Sequence, residues 1–358
     1  MPVLSLSKHF LITPLDWGLG HATRCIPIIR TLLAEKQTVS IATDGGSLQL
    51  LKEEFPTLRF FKLPSYRIKY RWENMVFNMA LQMPHILRTI WQEHRAIQKI
   101  VSSEGIDVII SDNRFGCYHT TTHNIFLTHQ LNIKAPHQLL EKVIAWGNHF
   151  WIKRFDECWV PDVEKEALSL AGELSHGTTF KRLRYLGPLS RMTKYPTALA
   201  YDLVVVLSGP EPQRTYLETL VLNQLPALKL NACIVQGKAE LSKAPYFKNN
   251  IQIYPYLTSE ALNDLMLSAK LILCRSGYST MMDLAKLEKK ALLVPTPGQT
   301  EQEYLARYFC ERKCFLYRKQ KDLNLAEDYT AALTFSGLSE GQEITSQLSK
   351  IIKETIKG

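Results

Sequence analysis

Paired cysteines, long apolar runs and low-complexity tracts are all missing from this sequence. Its 7 cysteines, at 25, 117, 158, 233, 274, 310 and 314, form no CxxC pair and have no histidine at metal-ligand spacing. That excludes a disulfide framework and a structural zinc site and points to a reducing cytoplasm. No stretch approaches the roughly 18 consecutive apolar residues of a membrane span. The short run 10–15 is closed by Asp16, well before the length of a signal segment. The expectation is a chain neither exported nor integral to a membrane. Glycine and proline, at 17 each in 358 residues, are too sparse for a collagen-like or disordered composition. Helix-turn-helix, RNP and zinc-finger patterns are absent too, so nucleic acid is not an expected partner.

What remains is a globular composition, 46% hydrophobic and 22% charged, with a length that predicts two domains. The net charge of +9 calls for an anionic partner, a phosphorylated small molecule or an acidic membrane surface. Short β-rich runs alternate with helical patterns, which predicts parallel strands joined by helical crossovers. In the first half the strands are expected at 9–13, 38–43, 58–63, 107–111, 123–128 and 157–160, with helices at 22–35, 73–101 and 138–153. A proline-containing, turn-rich segment follows Leu186, and the rhythm restarts at 202–207. Further strands are expected at 231–235, 251–254, 271–274, 291–294 and 314–317. The fold class is therefore α/β: two Rossmann-like doubly wound domains, 1–190 and 191–340, facing a central cleft. A last helix in 341–357 puts Ile344, Leu348, Ile351, Ile352 and Ile356 on one face and is able to pack back on either domain.

Ligands of doubly wound sheets bind beyond the carboxyl ends of the strands. Three segments there carry chemistry. In the first, Gly18-Leu19-Gly20-His21 joins a strand to a helix, and Gly18 and Gly20 let backbone N–H groups approach an anion or a sugar. Thr23 occupies the position where a dinucleotide fingerprint needs its third glycine. His21, at the helix N-terminus, is favoured as the neutral imidazole and is a candidate base. In the second, Arg275-Ser276-Gly277 opens a helix bearing Thr280 and Asp283, and Gln299 and Gln302 open the helix after Pro295. Exposed N–H groups at such a helix start suit a diphosphate, and Asp283 suits ribose hydroxyls. In the third, Asp112 follows a strand directly, on the rim of His21. A carboxylate there can fix the imidazole tautomer, giving a His21–Asp112 dyad; alternatively Asp112 and Asn113 cap a helix.

The run Arg275-Ser276-Gly277-x-x-Thr280-x-x-Asp283, followed by Val294-Pro295 and the glutamine-bearing helix, resembles the nucleotide-sugar signature of GT-B glycosyltransferases of family 28, the MurG-like transferases. Tyr254-Pro255-Tyr256-Leu257 resembles the family's uracil-contacting stretch and Ser208-Gly209-Pro210 its donor-side glycine loop, while the Gly18–His21 turn stands where the family has its acceptor-side loop. The resemblance implies an inverting glycosyltransferase using a nucleotide sugar, UDP-linked, as substrate rather than cofactor, with a glycan or lipid-linked acceptor of the cell envelope. Asp283 is then the ribose ligand where MurG-like relatives carry Glu, and Gln302 a sugar ligand. Leu257 offers backbone groups to the base and Tyr256 packs on it. Ser276, Gly277 and Thr280 hold the diphosphate, Ser208 and Gly209 belong to the donor-side loop, Arg214 adds charge at the leaving phosphate, and Arg275 and Gln299 complete the set. Glu303 replaces the second glutamine of the family's pair, so donor-sugar identity does not carry over. No DxD-like pair follows an expected strand, so no metal is expected.

Aromatic and basic residues mix in Tyr66–Trp72, in the helix with Met75, Phe77, Met79, Leu81, Met83, Arg88, Trp91 and Arg95, and in 146–154. Such stripes suit peripheral contact with an anionic membrane at its inner face, or an acceptor groove. Two other readings stay open: a nucleotide-sugar hydrolase or epimerase on the same fold, and a non-catalytic nucleotide-sugar-binding protein.

Overall fold

A computed structural model describes residues 7–66, 75–134, 138–177, 180, 182–238, 244–338 and 346–358. The aromatic-basic residues 67–72 and the expected helix position Ile344 lie outside the described residues, as do the side chains of 75–80. The chain divides into two units, 1–189 with 344–358, and 190–343.

The first unit holds β1 (His9–Pro14), β2 (Thr38–Thr43), β3 (Arg59–Lys62), β4 (Val108–Asp112), β5 (His123–Leu127), β6 (Glu157–Val160) and β7 (Leu183–Tyr185). They form one parallel sheet in the order β3-β2-β1-β4-β5-β6-β7. β1, β2, β4 and β5 are buried at almost every position, as strands covered on both faces must be. The crossover helices are α1 (Gly20–Ala34), α2 (Gly45–Glu54), α3 (Met75–Glu104) and α4 (Gln138–Ile152). Strand order reverses between β1 and β4, where Pro14 pairs with Asp112, so both strands end at the same level.

The second unit repeats the plan with β8 (Tyr201–Val206), β9 (Ala232–Val235), β10 (Tyr246–Lys248), β11 (Ile251–Tyr254), β12 (Ala269–Cys274), β13 (Ala291–Leu293) and β14 (Leu316–Tyr317) in the order β10-β11-β9-β8-β12-β13-β14. All pairs are parallel except the β10–β11 hairpin. Its helices are α5 (Gln213–Gln224), α6 (Ser259–Leu267), α7 (Tyr278–Leu287), α8 (Thr300–Glu311) and α9 (Leu325–Leu333). One apolar cluster, including Leu203, Val205, Ile234, Ile253, Leu271 and Leu292, unites the strands. The last helix, α10 (Leu348–Lys357), lies on α1 of the first unit. It buries Leu348, Ile351, Ile352 and Thr355, and Gln347 N–H donates to Leu186 O at 2.8 Å.

Four features depart from the expectation, the first being β7 at the sheet edge, which lies in no expected strand. α2 begins Gly45-Gly46, which reads locally as a turn; it forms because the Asp16 carboxylate, from the β1–α1 loop, accepts the Ser47 N–H at 2.9 Å. Such a tertiary cap supplies what the local sequence lacks. β10 is exposed throughout and carries no burial pattern. Asp112 is the last residue of β4 rather than the first after it.

Candidate active site

In the first unit the site grows from the paired ends of β1 and β4. After Pro14 the chain is held by Leu15 N–H to Asp112 O at 3.0 Å, and Gly18 takes a positive φ of 81° that favours glycine. α1 then opens at Gly20, with no side-chain cap of its own. His21 and Arg24 stand one turn apart on this helix and both reach Asp112.

The Asp112 carboxylate is fully buried. Oδ1 lies 2.9 Å from His21 Nδ1 and also accepts from an Arg24 terminal nitrogen, while Oδ2 accepts Arg24 Nε at 2.7 Å. The other terminal nitrogen of Arg24 contacts His129 Nδ1, in the loop after β5, at 2.9 Å. Burial alone would raise the Asp112 carboxyl, but the Arg24 charge and then His21 overcome it and hold the group well below the usual carboxylate range. Asp112 is therefore an anion at any neutral pH. The His21 side chain keeps 15% exposure, and its Nε2 has no partner among the described residues. A buried, ionised carboxylate on Nδ1 and an open Nε2 are the arrangement of an oriented general base. Arg24 and His129 escaped the sequence reading; the signal for Arg24 was its spacing of three from His21.

In the second unit, the ends of β8, β12 and β13 converge through side chains. Ser208 and Gly209 are exposed after β8, with Gly209 at φ 100° and Thr296 Oγ1 close beside it. Ser276 is buried, and its hydroxyl donates to Gln302 O at 2.7 Å. Gln302 Oε1 accepts Thr296 N–H at 2.8 Å, and its Nε2 donates to Gln299 Oε1 at 2.5 Å. Gly277 precedes α7 and Gln299 precedes α8, and neither helix has a side-chain cap, in contrast to α6 with Thr258 and α9 with Asn324. Thr280 is half-buried in the first turn of α7. Asp283 accepts the Ser190 hydroxyl at 2.6 Å, and burial pushes its carboxyl up to about 6 against the pull of Arg191 and Ser190. Ser190 is a further residue the sequence did not single out. Tyr256 (buried) and Leu257 (half-buried) follow β11, two strands further along the sheet.

Two expected ligands are placed differently. The Arg275 guanidinium is buried and held by four neutral oxygens: Val294 O at 3.0 Å, Pro295 O at 3.1 Å, Gln213 O at 2.8 Å and Gln320 Oε1 at 2.7 Å. Direct donor contact by that group does not fit; it ties the ends of β12 and β13 to α5, and burial lowers its pKa to about 10. Arg214 likewise turns inward, to Gln236 O at 2.7 Å and to the Glu211 carboxylate. Among the described residues no group of three or more His, Cys, Asp or Glu is arranged to hold a metal ion.

Residues 203–353 match the glycosyltransferase family 28 C-terminal domain. The UDP-N-acetylglucosamine--N-acetylmuramyl-(pentapeptide) pyrophosphoryl-undecaprenol N-acetylglucosamine transferase of Desulforudis audaxviator (strain MP104C) is 40% identical over 83 residues, which cover 23% of this chain and 21% of that enzyme. The enzyme of that name from Methylorubrum extorquens (strain PA1) is 34% identical over 76 residues, 21% of this chain and 17% of the relative. Among solved structures, Acinetobacter baumannii MurG superposes with a TM-score of 0.60 at 12% identity, covering 98% of this chain and 99% of that one. The glycosyltransferase SnogD from Streptomyces nogalater superposes with a TM-score of 0.66 at 12% identity, covering 98% and 99%. The two Rossmann-like domains are those of the GT-B fold.

Proposed function

We propose that this chain, which carries a family 28 glycosyltransferase C-terminal domain in a GT-B fold, is an inverting, metal-independent glycosyltransferase. The observation that carries the reading is the pairing of that domain, at 203–353, with an ionised Asp112 on His21 Nδ1. The donor is a nucleotide sugar, UDP-linked, bound by 191–340; the acceptor is a hydroxyl of a lipid-linked or cell-envelope glycan, served by 1–190.

In the reaction, His21 Nε2 takes the acceptor hydroxyl proton as that oxygen bonds to the anomeric carbon. The bond from that carbon to the diphosphate oxygen breaks with it, and the nucleoside diphosphate leaves with the electron pair. A single displacement inverts the anomeric carbon. General-base assistance of this kind contributes about 10²–10⁴-fold. The uncapped N-termini of α7 and α8 receive the phosphates, and Gly209, Gly277 and Thr280 line their approach. Asp283 and Gln302 bind ribose and sugar, and Tyr256 and Leu257 the base. Gly18 and Gly20 leave the β1–α1 turn open, so that its backbone N–H groups can approach a sugar. Arg275 and Arg214 act by bracing the loops.

A membrane-facing surface on the first unit supports a lipid-linked acceptor. α3 exposes Leu81, Met83, Leu87 and Trp91, and α4 exposes Trp146 and Phe150. Arg95 stacks on Trp91 at 3.6 Å and Arg154 on Trp151 at 4.1 Å. The two helices meet where Trp151 packs against the cluster of Ile86 and Ile90. The contact proposed is peripheral, at the inner face; among the described residues no helix is long and apolar enough to cross a membrane.

Thermal shift against UDP-, GDP-, dTDP- and CMP-sugars, followed by transfer to a lipid-linked acceptor with and without EDTA, tests the reading. UDP-sugars should raise Tm by mass action and transfer should survive chelation. A protein stabilised by no nucleotide sugar would overturn it. Release of free sugar without acceptor would point to hydrolysis instead.

A further inference from the structure

His21 Nδ1 faces two groups with opposite demands. Asp112 Oδ1 and an Arg24 terminal nitrogen each lie 2.9 Å from it. Nδ1 can donate to the carboxylate or accept from the guanidinium, not both. The first choice leaves Nε2 as a lone pair and hence a base; the second puts the proton on Nε2 and abolishes that role. A protonated imidazole would place two cations side by side on one carboxylate. The groups facing His21 and this carboxylate are Arg24 and Cys25 from α1, Asp112 from β4 and, through Arg24, His129 from the loop after β5. The Cys25 thiol, buried and beside Asp112, stays neutral.

We propose that Arg24 is a positioning residue that grips both oxygens of Asp112 and shares its charge, so that His21 remains neutral with Nε2 free to accept a proton. A carboxylate already committed to a guanidinium stabilises a neighbouring imidazolium less than an uncommitted one does. The anion still selects the Nδ1–H tautomer, because the Arg24 nitrogen has Asp112 Oδ1 as its better acceptor. The inference rests on the transferase reading for its purpose, not for its measurement.

The test is ¹⁵N-edited NMR of the imidazole rings in the full chain, with His21 assigned by the signal lost in His21→Gln. In the wild type the neutral His21 ring should carry its proton on Nδ1. In Arg24→Met its midpoint should rise by about one pH unit or more, tenfold in the protonated fraction, and the acid limb of kcat/KM should move with it. If Arg24→Met fails to fold by circular dichroism, Arg24→Lys carries the test: it keeps the charge but loses the fork, and a smaller rise is expected. An unchanged midpoint in a folded variant, or an Nε2–H wild type, overturns the proposal. A shifted midpoint in a chain that transfers no sugar upholds the proposal and removes the transferase reading. Transfer through His21 with an unmoved midpoint does the reverse.

Discussion

Glu93 and Arg114 are joined at 2.6 Å with neither side chain reaching solvent. Around them, Tyr66 donates to Glu93 at 2.7 Å, and Arg114 donates to Asp44 and to the carbonyls of Pro14 and Pro64 at 2.9 and 3.2 Å. The network ties α3 to the ends of β1 and β2 and to the loop two residues beyond Asp112. Burial pushes the Glu93 carboxyl up, opposed by Arg114. Removing one partner strands the other, so Glu93→Ala or Arg114→Met should each cost about 3–5 kcal/mol in urea unfolding. The double variant Glu93→Leu/Arg114→Met should recover only part of that, because Asp44 loses its cation.

Two glycines make a paired test of packing. At Gly116 a Cβ would fall on the Ile90 carbonyl oxygen and 2.8 Å from Glu93 Cβ, whereas at Gly147, inside α4, it meets nothing within 4 Å. Gly116→Ala should destabilise by about 1–3 kcal/mol. Gly147→Ala should stabilise by roughly 0.5–1 kcal/mol. Thermal melts of the two variants decide, and equal effects would contradict this account.

Asp112→Asn keeps the shape but offers Nδ1 a neutral amide, which no longer selects the tautomer. Transfer kcat should fall about 10²–10⁴-fold, as expected when an oriented base loses its orienting anion. Donor affinity, assigned to the second unit, should stay within a fewfold by calorimetry. A kcat within a fewfold of wild type would remove Asp112 from the mechanism.

Asp283 should make stability depend on pH. Its folded carboxyl titrates near 6, above the range of an unfolded aspartate, so the folded state holds the proton more tightly. The resulting contribution is full below about pH 4 and is lost as pH rises through 6. Asp283→Asn, neutral throughout, should therefore melt near wild type at low pH and above it at pH 8. If Asp283 also binds ribose, the same variant should bind donor more weakly by about 1.5–3 kcal/mol.

Trp91→Ser with Trp146→Ser should sharply weaken flotation with anionic liposomes while leaving donor-induced thermal shifts intact. The pair removes large apolar contacts but leaves Arg95 and Arg154, so residual binding should vanish on raising salt. A wild-type chain that stays wholly unbound would discard the membrane surface.

The two α/β sheets were legible because strands covered on both faces produce near-continuous apolar runs, as in Leu203–Leu207 and Leu271–Cys274, with helical periods between them. α2 was not legible, since its cap arrives from Asp16, far back in the chain, and β10 has no buried face to mark it. At the site, His21 and Asp112 stood out by residue type beside strand ends. Arg24 did not, because its meaning depends on a partner 88 positions away. Arg275 and Arg214 read as available cations for the same reason: carbonyl acceptors that occupy a guanidinium leave no trace in residue type.

The docking of α10 on α1 makes the second unit an insertion within the first. During synthesis, residues 190–343 leave the ribosome before α10, the helix that carries Ile351 and Ile352, has been made. The first unit therefore cannot reach its final packing until α10 emerges, even though domains usually complete in N-to-C order. A fragment stopped at 189 would retain His21, Arg24 and Asp112 but leave the outer face of α1 bare, and should be aggregation-prone until residues 346–358 are supplied as a separate peptide.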